Sequence, residues 1–421
     1  MTEGPPRERR DRRALSHVGG AVELRGPDTT LGPALAHALD VTPDEEATRA
    51  HVHGFHSYPA RLHPFTARRL VEALAAPGAT VLDPFCGSGT VLVEARLAGR
   101  RAIGTDANPL AVELAWLKVR GSSATERAAL SRAAEQVAEA AEARRLARAG
   151  ATHRYPPDDV ELFDPHVLLE LDGLRAAIGQ CEGRATANTL ALVLSSILVK
   201  VSRKGGDTGL DQGPRRLASG STIRLFRAKA SELASRLHAF ADALPPLAPE
   251  PAVHLADARA LPLDDGSVDA VITSPPYPGN YDYLAHHAVR LRWLGMPAEG
   301  FDRAEIGARR RLDPLGPEAA VAAWRREFGD VLGELARVLV PRGAAAIVTA
   351  DTVVAGRPLD AAALLVALAP TCGFEVAAIA SQPRPHFHAP TSRAFDRMPR
   401  REHVVIVRRP RVRTGARRLA R

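Results

Sequence analysis

Two short stretches carry residue types that could do chemistry together. The first is Thr273-Ser274-Pro275-Pro276-Tyr277, which follows the apolar run Val268 to Ile272. That run reads as a short buried strand. Consecutive prolines cannot continue a sheet ladder, so the chain must leave the strand there in a stiff turn. The turn presents the Ser274 hydroxyl, the Pro275 carbonyl and the Tyr277 ring. Two acceptors can hold the two N–H groups of an exocyclic amine, and a ring can stack on the flat base that bears it.

The second stretch is Thr80-Val81-Leu82-Asp83-Pro84-Phe85-Cys86-Gly87-Ser88-Gly89-Thr90, with Val91 and Leu92 after it. Its pattern is strand, glycine turn, helix. Glycines let backbone N–H groups approach a ligand at a helix N-terminus. The spacing is neither GxGxxG nor a Walker A loop. Asp83, at the strand end, is placed to take the ammonium of an amino-acid moiety. A second strand, Arg101 to Thr105, ends in Asp106, where a ribose would offer its hydroxyls. Asn108 and Pro109 then open another helix.

The stretches DPFCGSGT and TSPPY, with the acidic second-strand end between them, resemble the S-adenosylmethionine-dependent amino-methyltransferases of DNA. Those enzymes methylate N4 of cytosine or N6 of adenine. The likeness runs over roughly 55–118 and 252–408. It implies an α/β fold, a Rossmann-like seven-stranded class I methyltransferase sheet with a mainly helical insertion. It also implies S-adenosyl-L-methionine as cofactor and double-stranded DNA as partner. The segment Phe55 to Phe65 is similar to the family's element that precedes the glycine loop, which places Tyr58, Pro59 and Phe65 near the methionine part of the cofactor. The loop residues Pro84, Phe85, Gly87, Ser88, Gly89 and Thr90 join them, with Asp83, Asp106 and Asn108. An acid at the end of a later strand contacts the adenine in such enzymes, which marks Asp257; a turn or cap is the plainer reading of that aspartate.

The implied mechanism is direct transfer. Hydrogen bonds from the amine to Ser274 and Pro275, with Pro276 and Tyr277 shaping the corner, would draw the nitrogen toward a tetrahedral shape. Methylation at cytosine carbon 5 needs a thiolate, usually in a Pro-Cys pair, and no such pair occurs among Cys86, Cys181 and Cys372. Cys86 is a packing residue on this reading. Serine at 274 favours cytosine N4 over adenine N6. An RNA guanine-N2 methyltransferase is the rival from another substrate class. A partner restriction endonuclease is left open.

The elements that must position these groups divide the chain. Residues 1–50 read as a flexible basic arm, with arginines at 7, 9, 10, 12 and 13. The cofactor half spans 51–120 and a helical insertion, taken as the target-recognition region, spans 121–250. The catalytic half spans 251–408 and a basic tail 409–421. Thr66 is expected to cap the helix through Leu70 and Leu74. Within the insertion, Ser122 to Ala149 and Leu190 to Val201 are helical patterns. Arg203, Lys204, Arg224 and Arg227 are spaced to track a phosphate backbone, Arg215 and Arg216 lie between them, and a plain surface loop would look the same. Arg384, His386 and His388 form a polar loop open to DNA or solvent. His286 and His287 read as helix-face residues, since no spaced metal partner accompanies them, and no metal is expected.

A net charge of +8 suits a polyanionic partner. Lysine occurs only at 118, 200, 204 and 229, so the arginine excess fits a GC-rich codon bias equally well. With no continuous apolar run of membrane length and no signal-peptide pattern, a cytoplasmic location without membrane contact is the expectation.

Overall fold

The computed structural model describes residues 20–41, 48–203, 217–384, 393–395 and 399–410. Ten strands appear among them: β1 (Glu23–Arg25), β2 (Thr80–Asp83), β3 (Arg101–Asp106), β4 (Ala252–Leu255), β5 (Val268–Thr273), β6 (Leu339–Ala350), β7 (Thr352–Val354), β8 (Arg357–Leu359), β9 (Glu375–Pro383) and β10 (Arg401–Arg408). Eight form one sheet in the order β1-β9-β10-β6-β5-β2-β3-β4. Strands β4, β3, β2, β5 and β6 run parallel, while β10 is antiparallel to β6 and β9.

The order reverses between β2 and β5, and the chain leaves both strands at their carboxyl ends there. Such a switch point is where an open α/β sheet leaves a crevice for a ligand. Apart from β1, the seven remaining strands make the expected class I methyltransferase sheet.

Alternate side chains enter two cores. Val81, Ala270, Ile272, Ala346 and Val404 face one side; Leu82, Val271, Ala345, Ile347 and Val405 face the other. Both faces are covered, which explains why β5 and β6 read as nearly continuous apolar runs rather than alternating ones. The second face is closed by the helix Pro317–Val338, through Trp324, Phe328, Val331 and Leu335.

The first face is closed by the helices Pro64–Leu74, Thr90–Leu97 and Pro109–Val119 together with the insertion. The insertion is helical, as expected: Ala124–Leu146, Pro157–Leu162, Pro165–Ile178, Arg184–Val201 and Ser221–Ala243. Its Leu130, Leu171, Leu190 and Phe226 share one hydrophobic core with Val52, Leu92 and Leu114 of the cofactor half. The helix Arg184–Val201 has the length and composition of a membrane span, yet more than half of it is buried within the protein. Ser123 and Glu126 close a reciprocal capping box on the helix that opens the insertion.

Three expectations are corrected. Residues 20–41 are not part of a flexible arm. They supply β1, which pairs Leu24 with Ala380 of β9, and a helix Gly32–Leu39 that buries Leu35 and Leu39. The sheet therefore has eight strands. Thr66 is not a cap: the helix Pro64–Leu74 begins at His63, whose ring nitrogen accepts the Phe65 N–H, while the Thr66 hydroxyl donates to the Ala38 carbonyl. Residues 341–343, a Pro-Arg-Gly stretch whose sequence reads as the turn leading into a strand 344–350, belong to the long strand β6 instead. Arginines 7 to 13, Lys204, Arg215, Arg216, His386, His388 and the tail after 410 lie outside the described residues.

Candidate active site

The glycine loop is built almost entirely from its own neighbourhood. Asp83 ends β2 and accepts the Phe85 N–H at 3.1 Å. The Cys86 N–H donates to the Thr105 carbonyl at 3.0 Å, and the Thr105 hydroxyl donates to the Pro84 carbonyl at 3.1 Å. Asp106, at the end of β3, accepts the Gly87 N–H at 2.9 Å and the Asn108 N–H at 2.8 Å. Gly89 starts the next helix with φ 84°, a left-handed conformation that suits glycine. A Cβ on Gly87 would stand 3.1 Å from the Tyr58 ring. The loop and Tyr58 therefore fit only because the side chain is missing.

Tyr58 comes from the segment before the loop. Its hydroxyl accepts from the Asn108 amide at 3.4 Å, and its ring stacks on His287 at 4.8 Å. Asn108 also caps the following helix through the Leu110 N–H.

The proline corner follows β5 directly. Thr273 is buried and its hydroxyl donates to Asp83 at 2.7 Å, which ties the ends of β5 and β2 together. Ser274 is half-buried, and its hydroxyl lies 3.4 Å from that of Tyr277. Burial holds the Tyr277 phenol above its ordinary pKa.

These parts meet in one cleft of about 760 Å³, part of it open to solvent. Ser274 and Pro276 line it together with Asp83, Phe85, Gly87, Ser88, Thr90 and Asp106. Tyr58 and Pro59 form another wall. The opposite wall holds Tyr283, Phe301, Glu305 and Ile306.

The electrostatics are those of a site awaiting partners. Burial pushes Asp83 up to about 7, against the bonds from Thr273 and Phe85. Burial likewise pushes Asp106 up to about 6. The Ser88 hydroxyl is buried in the cleft wall without a hydrogen-bond partner. Buried polar groups are normally paired, so two costly carboxylates and an orphaned hydroxyl fit a polar ligand rich in donors.

Not every expected residue lines this cleft. Phe65 does not; its ring turns to His63 and to the Arg69 guanidinium, because it sits on the first turn of the helix that leads away. Pro84, Gly89 and Asn108 act through the backbone and through Tyr58. Pro275 is buried in the corner, and Tyr277 is not among the residues that line the cleft either. Asp257 lines an adjoining pocket that shares Ala107, Phe301 and Ala304 with the cleft, and its carboxylate is held by Arg259 at 2.6 Å.

The arginines expected on DNA are placed on the insertion. Arg203 pairs with Asp164 at 2.9 Å, Arg227 with Glu135 at 2.8 Å, and Arg224 donates, among the described residues, only to the Ser221 hydroxyl. Arg384 is buried and paired with Glu402, so it is not part of an open loop. Phe301, Glu305 and Ile306 were missed by sequence reasoning. The segment bears no motif, and the acid looks like any surface glutamate.

Comparison with known proteins follows the same lines. Residues 38–116 match the N6/N4-type DNA methylase family. The type II methyltransferase M.BsoBI of Geobacillus stearothermophilus is 26% identical over 279 residues, 58% of this chain and 53% of that protein. The type II methyltransferase M.MjaII of Methanocaldococcus jannaschii is 34% identical over 83 residues, 20% of this chain and 16% of its own. A tRNA (guanine(10)-N2)-dimethyltransferase of Methanothermobacter thermautotrophicus is 35% identical over 114 residues, 25% of this chain and 32% of its own. The chain thus spans about half or less of these relatives' length. The family match, over residues 38–116, covers the glycine loop and Asp106.

Proposed function

We propose that the protein is an S-adenosylmethionine-dependent DNA methyltransferase that modifies the exocyclic N4 amine of cytosine. One observation carries the reading: the Ser274 hydroxyl lines the same cleft as the glycine loop and Asp106. An amine held by the corner would therefore stand beside a ligand held by the loop.

The residues present fit the cofactor. Asp83 offers charge to an ammonium, Asp106 offers acceptors to ribose hydroxyls, and the Ser88 hydroxyl lacks a partner that a carboxylate could supply. The adjoining pocket beside Asp257 has room for the adenine ring. When bound, S-adenosylmethionine supplies an electrophilic methyl group on a sulfonium.

The chain's own residues do the rest. The Ser274 hydroxyl and the Pro275 carbonyl accept the two amine N–H bonds and withdraw the lone pair from the ring. Held in this way, the amine's lone pair would face the methyl group that the cofactor supplies, and the proton the amine gives up would pass to solvent water. Tyr283, which lines the cleft, gives a flat surface to a base that has left its stack, at a cost of about a few kcal/mol. Positioning by the two loops can lower the barrier by roughly 7–11 kcal/mol at best.

Adenine N6 is the neighbouring reading within the same chemistry. The match to a tRNA guanine-N2 enzyme favours RNA as the second reading from another substrate class. A cognate restriction endonuclease, a cytoplasmic location and the absence of membrane contact belong to the same proposal. Expression in a methylation-free host, followed by nucleoside mass spectrometry of DNA and RNA, tests all three products. N4-methylcytosine is expected. N6-methyladenine or N2-methylguanosine in its place would overturn the choice of base, and no methylated nucleoside at all would overturn the reading.

A further inference from the structure

The opposite wall of the cleft is a strap. Residues 296–306 cross from the helix Tyr283–Leu294 to Gly307, with a short helix Glu299–Ala304 between. Glycines with left-handed backbones stand at both ends, Gly295 at φ 65° and Gly307 at φ 66°. Phe301, Glu305 and Ile306 of the strap face the cleft.

One side chain holds the strap to the chain that leaves the proline corner. The Arg310 guanidinium bonds Asp302 and, at 2.6 Å, Glu305, both on the strap. The same group bonds Asp282, the last residue before the helix Tyr283–Leu294. Glu305 is buried, and its other oxygen accepts the Tyr283 N–H at 2.7 Å. Arg309 adds bonds to the Gly279 and Asn280 carbonyls. Three carboxylates converge on one cation, and a buried carboxylate stays ionised in such a place only while it is paired. Removing Arg310 would leave Glu305 facing the cleft with two acidic neighbours and only the Tyr283 N–H.

We propose that Arg310 is a positioning residue that couples closure of the strap over the cofactor cleft to the placement of the catalytic corner. The inference rests on the methyltransferase reading for its kinetic consequence, but not for its geometry. Arg310 touches neither reacting group; it acts through Glu305, Tyr283 and Asp282. A purely structural arginine would lower the melting temperature and leave the kinetic constants of the folded fraction unchanged.

The test uses the full chain, tritiated S-adenosylmethionine and genomic DNA from a methylation-free host. Arg310→Gln is expected to raise the cofactor dissociation constant, read by calorimetry, about tenfold, the size of losing charge-assisted bonds. The turnover number should fall as well. Arg310→Lys keeps the charge without the fork and should lie between. Asp302→Asn removes one exposed strap contact and keeps the test alive if Arg310→Gln does not fold. Alone it should raise the dissociation constant about threefold, and in the Arg310→Gln background it should do nothing more. Hydrogen exchange at the Tyr283 amide should quicken in both variants. Wild-type affinity and turnover in folded Arg310→Gln, unchanged constants in Asp302→Asn, or additive effects of the two changes would overturn the coupling. A wild-type protein that binds no cofactor would overturn the functional reading instead, while the exchange rate at Tyr283 would still decide the geometry.

Discussion

The two loops that meet in the cleft are built in opposite ways. The glycine loop after β2 is held by partners from β2, β3 and the turn after β3, with Asp106 and Thr105 doing most of the bonding. The chain after the proline corner borrows its order from far along the sequence. Pro278 is held by Thr352, Gly279 by Gly307 and Arg309, and Tyr283 by Glu305. A loop made of local parts can be read from a short motif and tolerates change elsewhere. A loop held by remote side chains has a recognisable start and an unreadable continuation, and is open to control through its supports.

The sharpest way to test the difference is to remove the side-chain acceptor that the corner supplies. Ser274→Ala should lower the turnover number about a hundredfold, the range for deleting one hydrogen bond that counts mainly in the transition state. Cofactor affinity should stay within about twofold, since the glycine loop does not lean on Ser274. The link between the loops runs instead through Thr273 and Asp83. Turnover at the wild-type rate would remove Ser274 from the mechanism. A large loss of cofactor binding would mean that the two loops are not separately built.

The same contrast explains what the sequence analysis could reach. Asp83, Gly87, Gly89, Asp106 and Asn108 were legible because each acts on residues close by in sequence or on the adjacent strand. The burial of β5 was legible as the apolar run 268–272. Glu305 and Arg310 were not, because their meaning depends on a fold that brings 279–283 against 302–310. The strand Glu23–Arg25 was not legible either: it is three residues long, exposed, and exists only because β9 offers it an edge. Asp257 was singled out from the sequence, and in the structure its carboxylate is held by Arg259, two residues on.

A smaller effect separates the loops by pH. Asp83 is raised from 3.8 to about 7 and Asp106 from 3.8 to about 6, in both cases chiefly by burial. Each binds its proton more tightly folded than unfolded. Their contribution to stability is therefore full below about pH 4 and is lost as pH rises through 6 to 7. The protein without cofactor should lose on the order of 4 kcal/mol between pH 5 and pH 8 from these two groups. Cofactor should bind more tightly over the same interval, because it favours the ionised forms. Asp83→Asn should flatten the pH dependence of the melting temperature, and Ser274→Ala should leave it untouched. A slope that survives Asp83→Asn in full would place its cause outside the loop.

The smallest effect concerns the arginines of the insertion, and it divides them. Arg203 and Arg227 already have carboxylate partners in Asp164 and Glu135, so a phosphate would have to displace an ion pair of comparable strength. Exposed pairs of this kind are worth about 0–1 kcal/mol, and the exchange returns little. Arg224 is exposed, it donates among the described residues only to a serine hydroxyl, and a Cβ on Gly220 would lie close to both Arg224 and Arg145. Arg145 beside it is tied to Glu142, so Arg224 is the guanidinium near this helix start that can turn to a phosphate oxygen without breaking an ion pair. Fluorescence anisotropy of a labelled duplex at several salt concentrations distinguishes them. Arg224→Ala should reduce the salt slope of binding by about one, while Arg203→Ala and Arg227→Ala should change it by much less. Equal slopes for all three variants would mean that the insertion serves the cofactor half as a packed cover, and that DNA approaches the cleft from another side.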